Sequence, residues 1–137
     1  MRLTNKFALV TGGGTGIGRG ISTRFAKEGA SVVIAGRRRE LCDQVAEEIK
    51  RDGGEAFAMH VDVTDSSSVR TLFNSAFSKY GDLDILVNNA GITLRKTLAE
   101  TNEEEWDRVL DTNLKGAFLC AKYAIPAMIR TGGGSII

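Results

Sequence analysis

Between an apolar run, Phe7-Ala8-Leu9-Val10, and an amphipathic segment opening at Ile17, the chain reads Thr11-Gly12-Gly13-Gly14-Thr15-Gly16-Ile17-Gly18. Glycine loses more chain entropy on folding than any other residue, so such a density before a helix is costly unless the backbone needs it. A strand, a glycine turn and a helix in that order suit a nucleotide diphosphate. The glycines let the backbone turn tightly and approach the phosphates, and the free N–H groups of the helix start meet the negative charge. The spacing is not G-x-G-x-x-G, because Ile17 stands where the third glycine of that pattern would fall. It is T-G-x-x-x-G-x-G, carried by Gly12, Gly16 and Gly18, with Gly14, Thr15 and Ile17 inside the same loop.

The rest of the chain alternates strand and helix. Strands are expected at Lys6–Thr11, Ser31–Ala35, Ala56–Val61 and Asp84–Val87, and a fifth begins at Ser135-Ile136-Ile137. The helix from Ile17 to Glu28 should turn Ile17, Ile21, Phe25 and Ala26 inward and stop at Gly29. The one from Arg38 to Arg51 repeats Leu41, Val45, Ala46 and Ile49. Asp65 or Ser66 caps a third, which buries Val69, Leu72, Phe73, Ala76 and Phe77 and ends near Gly81. Thr101 with Glu104 three residues on reads as a capping box for a helix through Trp106, Val109 and Leu110. Beyond Asn113 the helical pattern resumes from Leu114 to about Ile129. The expected fold is α/β, one Rossmann-type domain over residues 1–137: a doubly wound parallel sheet of order 3-2-1-4-5, stopping just after the fifth strand begins.

Charge excludes some functions. Lys+Arg 18 against Asp+Glu 17 leaves a net charge of +1, so no global field recruits nucleic acid or a membrane surface. Phosphate recognition must then be local. No apolar run reaches membrane-spanning length. Cys42 and Cys120 form no C-x-x-C and read as reduced thiols of a cytoplasmic protein; His60 alone offers no metal site.

The end of the second strand is the local phosphate candidate. In dinucleotide folds an acidic residue there binds the ribose 2′-OH of NAD, whereas a basic one accommodates the 2′-phosphate of NADP. This chain has Gly36-Arg37-Arg38-Arg39 and no carboxylate. Cations at a helix N-terminus oppose the macrodipole, so the cluster asks for an anionic partner. NADP(H) is expected over NAD(H), with Arg37 the main contact and Arg38 the second. Asp62 and Val63, after the third strand, could accept from an adenine amino group and pack on the ring; equally, Asp62 could serve only its own turn. Asn88-Asn89-Ala90-Gly91 ends the fourth strand with small and amide side chains against which a cofactor could lie. Asn113 is a poor helix former inside a helix pattern, so it either kinks the helix or presents its amide to a site. Trp106 is expected in the core or at a subunit contact.

Taken together, Thr11-Gly12-x-x-x-Gly16-x-Gly18, Asp62-Val63, Asn88-Asn89-Ala90-Gly91 and Asp111-Thr112-Asn113-Leu114 resemble the short-chain dehydrogenase/reductase family over the whole chain. The Gly36-Arg37 pair resembles its NADP-preferring branch, although Thr15 stands where many such members carry a basic residue. The resemblance implies a nicotinamide cofactor and hydride transfer at a carbonyl or alcohol carbon. It implies that Asn88 steadies the sheet, that Asn89, Ala90, Gly91 and Thr112 contact the cofactor, and that Asn113 holds a water in a catalytic proton relay. A small-molecule substrate and a homo-oligomer, paired through the Leu114–Ile129 helix and the one before it, are also implied.

In that family the fifth strand leads to a catalytic Ser and then a Tyr-x-x-x-Lys pair. Tyr80 and Tyr123 lie on earlier helices and neither has Lys four residues later. Losing one general acid/base costs about 10²–10⁴-fold in rate, so no useful turnover is expected from these 137 residues alone. Three readings stay open: the cofactor-binding portion of an oxidoreductase cut short, a non-catalytic NADP(H)-binding module, or a subunit completed by a partner chain.

Overall fold

A computed structural model describes residues 1–137. Five parallel strands, β1 (Phe7–Thr11), β2 (Ser31–Gly36), β3 (Glu55–His60), β4 (Ile85–Val87) and β5 (Ser135–Ile136), stand in the order β3-β2-β1-β4-β5. The register pairs Leu9 with Val33 and Leu86, and Val33 in turn with Phe57. β1 and β2 have helices on both sides, which is why Phe7-Ala8-Leu9-Val10 and Val32-Val33-Ile34-Ala35 are apolar without alternation.

Successive side chains point to opposite faces and meet different helices. Leu9, Val33 and Leu86 pack with α3 (Ser66–Tyr80) and α5 (Gly116–Arg130) through Leu72, Phe73, Leu119 and Cys120. Val10, Val32 and Ile34 pack with α1 (Gly16–Lys27) and α2 (Arg39–Arg51) through Ala26, Cys42, Val45 and Ile49. Fully burying such aliphatic side chains contributes about 1.5–3 kcal/mol each. α4 (Glu103–Leu110) leads through a π-helical turn, Asp111–Lys115, into α5. No helix is long and apolar enough to cross a membrane.

Several expectations shift locally. α1 turns Gly18, Ser22 and Ala26 to the sheet; Ile21 and Phe25 are half-buried and Ile17 is 78% exposed. Small residues win that face because the helix start has to lie against β1: a side chain at Gly18 would overlap the Gly12 carbonyl. On α2 the inward residue is Cys42, with Leu41 only half-buried. The capping box sits one residue later than expected. Asn102 accepts from the Glu105 N–H at 2.9 Å and the Glu105 carboxylate accepts from the Asn102 N–H at 3.2 Å. Asn is a better N-cap than Thr, which favours the Asn102–Glu105 frame over Thr101–Glu104. Trp106 is 53% exposed and is not a core residue.

Candidate functional site

The carboxyl ends of β1 to β4 open into one cleft of about 320 Å³, within the roughly 300–1,000 Å³ of small-molecule sites. Gly12, Gly14, Thr15, Gly16 and Ile17 form one wall, Gly36, Arg37, Arg38, Leu41 and Cys42 the second, and Val61 to Thr64 the third. Asn89 to Ile92 and Thr112 complete it.

The glycine wall is held by polar stitches between β1 and β4. The Asn89 amide donates to the carbonyls of Thr11 at 3.0 Å and Gly12 at 3.1 Å. The Thr11 hydroxyl donates to Val87 O at 3.3 Å and accepts from Ala90 N–H at 3.0 Å. Gly12 takes φ +63, and a Cβ there would lie 2.9 Å from the Asn89 amide nitrogen and 3.0 Å from Ala90 Cα. The turn is therefore pressed onto β4 so closely that only glycine fits. Gly16 takes φ +52 with nothing within 4 Å of its missing side chain. There the cleft is open above bare backbone. Thr15 caps α1 by its backbone, its carbonyl accepting from Arg19 N–H at 3.1 Å, while its hydroxyl makes no cap bond. The first turn of α1 carries no acidic side chain. The positive end of the helix dipole thus faces the cleft uncompensated.

The basic wall separates its three arginines. Arg39 is turned along α2 toward Asp43, Nε to Oδ1 3.4 Å. Arg37 and Arg38 line the cleft, are exposed, and have no carboxylate within 4 Å. The opposite wall carries the one acid of the cleft. Asp62 Oδ1 accepts from the Thr64 hydroxyl at 2.7 Å and from Thr64 N–H at 2.9 Å. The Thr64 hydroxyl holds the carboxyl below its usual range against a burial effect of opposite sign, with the nearby Arg37 charge acting the same way as Thr64. Asp62 therefore serves its own turn and remains an ionised acceptor. Val63, 7% exposed, is the apolar part of that wall.

Every residue expected at the cofactor lines this cleft except Gly18, which is buried behind Gly12. Asn113 lies outside it. Its Oδ1 accepts from Ile92 N–H at 2.8 Å and its Nδ2 donates to Ile92 O at 2.9 Å. Each end of the amide makes one bond, so the side chain anchors the segment after β4, and the exposed residue keeps a second lone pair and a second N–H for a further partner. It also accounts for the interruption of the helix: the chain widens into the π-helical turn, Gly116 N–H bonding back to Asp111 O. The Asn89 amide ties the end of β1 to the segment after β4, and Asn88 ties β4 to β5 through its backbone N–H, which donates to Ile137 O at 2.7 Å. Gly36, Leu41, Cys42, Val61, Thr64 and Ile92 join the lining beyond the expected set. Leu41 and Val61 look like ordinary core positions in the sequence, and Cys42 carries no signal. Burial pushes both thiols up, Cys120 to about 12, so neither is a ready nucleophile.

The profile of the short chain dehydrogenase family matches residues 6–137. This chain belongs to that family. It is 46% identical over its whole length to a 3-oxoacyl-[acyl-carrier-protein] reductase of Staphylococcus aureus, of which it covers 56%. It is 37% identical over 97% of its length to a meso-2,3-butanediol dehydrogenase of Serratia marcescens, of which it covers 52%. The crystal structure of a metagenomic short-chain oxidoreductase in complex with NADP superposes with a TM-score of 0.94, at 34% identity over 99% of this chain and 62% of that one. The chain thus spans about half the length of the curated relatives it matches.

Proposed function

We propose that these residues are the NADP(H)-binding portion of a short-chain oxidoreductase acting on a carbonyl or alcohol carbon of a small molecule. The observation that carries this is the pair of unpaired guanidiniums, Arg37 and Arg38, facing a bare glycine turn across one cleft. The donor set fits a dinucleotide. Backbone N–H groups at Gly14 to Gly16 and the Thr15 hydroxyl meet the diphosphate; Arg37, then Arg38, takes the 2′-phosphate through forked donors. Asp62 and Val63 border the adenine, and Asn89, Ala90, Gly91, Ile17 and Thr112 form the remaining contacts. Bound there, the nicotinamide supplies or accepts the hydride. Asn113 keeps Ile92, and with it the entrance to the reacting end, in place.

An acyl-carrier-protein-linked ketone and a diol share only a carbonyl/alcohol centre, and the substrate class is proposed no more narrowly than that. Homo-oligomer formation is supported by an unpartnered apolar stripe, with Leu110, Leu114, Phe118, Ile125 and Ile129 exposed along α4, the π-helical turn and α5. Two buried free thiols suit the reducing cytoplasm. Neither tyrosine precedes a Lys by four, so binding without turnover is expected of these residues.

The test uses adenosine 2′,5′-bisphosphate and 5′-AMP as probes, followed by calorimetry. Arg37→Ala should weaken the bisphosphate about 10–100-fold, the cost of one charge-assisted contact, and leave 5′-AMP nearly unchanged. Equal losses for both probes would remove the 2′-phosphate assignment.

A further inference from the structure

We infer that Gly116 is a positioning residue of the cleft: it lets α5 lie against Val63 and so seats the π-helical turn that presents Thr112 and anchors Ile92. The inference deepens the dinucleotide reading and rests on it for its binding arm. Gly116 is buried and holds ordinary helical angles, φ −59 and ψ −44, so it is not glycine for the sake of an unusual backbone. By helix propensity alone, alanine would be better there. Sterics say the reverse. A Cβ on Gly116 would lie 2.7 Å from Val63 Cγ2, 3.0 Å from Val63 Cβ and 3.4 Å from its carbonyl oxygen.

Val63 has no easy retreat. It is β-branched, with few rotamers, and it packs in the same core cluster as Val61, Val69 and Leu119. Its other side is the cleft. A side chain at 116 must therefore push Val63 into the cleft or push α5 away from it. The second movement acts on the π-helical turn directly, because Gly116 N–H bonds to Asp111 O across it. Within that turn Thr112 lines the cleft, its hydroxyl tied to Arg108 O at 2.9 Å, and Asn113 clamps both backbone groups of Ile92. One contact thus links the wall assigned to adenine with the segment after β4.

The experiment is a double-mutant cycle on the full 137-residue chain: Gly116→Ala, Val63→Ala and the two together. The readouts are amide hydrogen exchange at Ile92, whose N–H donates to Asn113 Oδ1, and the NADPH dissociation constant by fluorescence titration. Gly116→Ala should speed Ile92 exchange and weaken NADPH about tenfold, the scale of overpacking a tight contact. In the Val63→Ala background the methyl at 2.7 Å is gone while the Cβ at 3.0 Å remains, so the same substitution should have a clearly smaller effect on both readouts. No change at Ile92, or an equal change in both backgrounds, would overturn the inference. A wild-type chain that binds no dinucleotide would instead defeat the functional reading, and the exchange data would still decide the seating.

Discussion

Strands β1 and β4 are fastened at both ends, by a carboxylate at one and an amide at the other. At the amino end Asp84 accepts from Lys6 Nζ at 2.8 Å and from Phe7 N–H at 2.9 Å. At the carboxyl end Asn89 donates to Thr11 and Gly12 carbonyls. The surroundings differ in the same sense. Aromatic rings close the amino end, Phe7 and Phe57 lying 5.0 and 5.7 Å from the Tyr80 ring. The carboxyl end is glycine, amide and open cleft. A carboxylate fastener would repel phosphate; an amide donor ties the same strands and adds no charge. The difference teaches that one sheet can carry stability at one edge and binding at the other, with the chemistry of each staple chosen by what lies next to it.

Asn89→Asp would break that division most severely. It replaces two donated bonds with an oxygen facing two carbonyls, at a cost of about 2–3 kcal/mol, and puts negative charge in the cleft. Denaturant unfolding should show that loss, and NADPH titration a drop of at least about 100-fold. Asp84→Asn keeps an acceptor and loses a half-exposed ion pair. About 1 kcal/mol of stability should go, with NADPH affinity within about twofold of wild type. If Asp84→Asn harmed binding as much as Asn89→Asp, the two ends would not be separable.

The strand order and most of the cleft are legible in the sequence; the Asp84 fastener at the amino end is not. The glycine spacing, Gly36-Arg37-Arg38, Asp62-Val63 and Asn89-Ala90-Gly91 sit at strand ends in a parallel α/β pattern, and topology alone then brings them together. What is not legible depends on distances of an ångström or less. Ile17 has the right helical phase for the core but is displaced outward because Gly18 must touch Gly12. Asn113 signals an interrupted helix, yet only the geometry shows its amide bonded to both backbone groups of Ile92. Cys42 lines the cleft because Gly14 and Gly36 both approach it, a relation with no sequence period.

A smaller effect concerns pH. Glu28 is held at about 2, chiefly by the Arg2 backbone N–H and then by its guanidinium. A carboxyl lowered on folding stabilises above its unfolded value of 4.5, and that stability is lost as pH falls toward 2. Glu28→Gln should therefore lower the melting temperature at pH 7 and flatten its fall between pH 4.5 and 2, leaving NADPH binding alone. The smallest expected change is Tyr80→Phe. The Tyr80 hydroxyl is buried without a partner, and burial pushes its pKa up. Removing it should leave stability unchanged or raise it by up to about 1 kcal/mol in denaturant unfolding. A marked loss would mean that the amino end contains a polar contact of its own.

The central claim is that the carboxyl end of this sheet is a dinucleotide site selective for the 2′-phosphate. Calorimetric titration of the 137-residue chain with NADPH and, separately, NADH tests it most directly. The account predicts one site per chain and an NADPH affinity at least about tenfold above that for NADH, the worth of one guanidinium–phosphate contact. Equal affinities, or tighter NADH, would contradict the role given to Arg37 and Arg38; absence of binding to either would contradict the site itself.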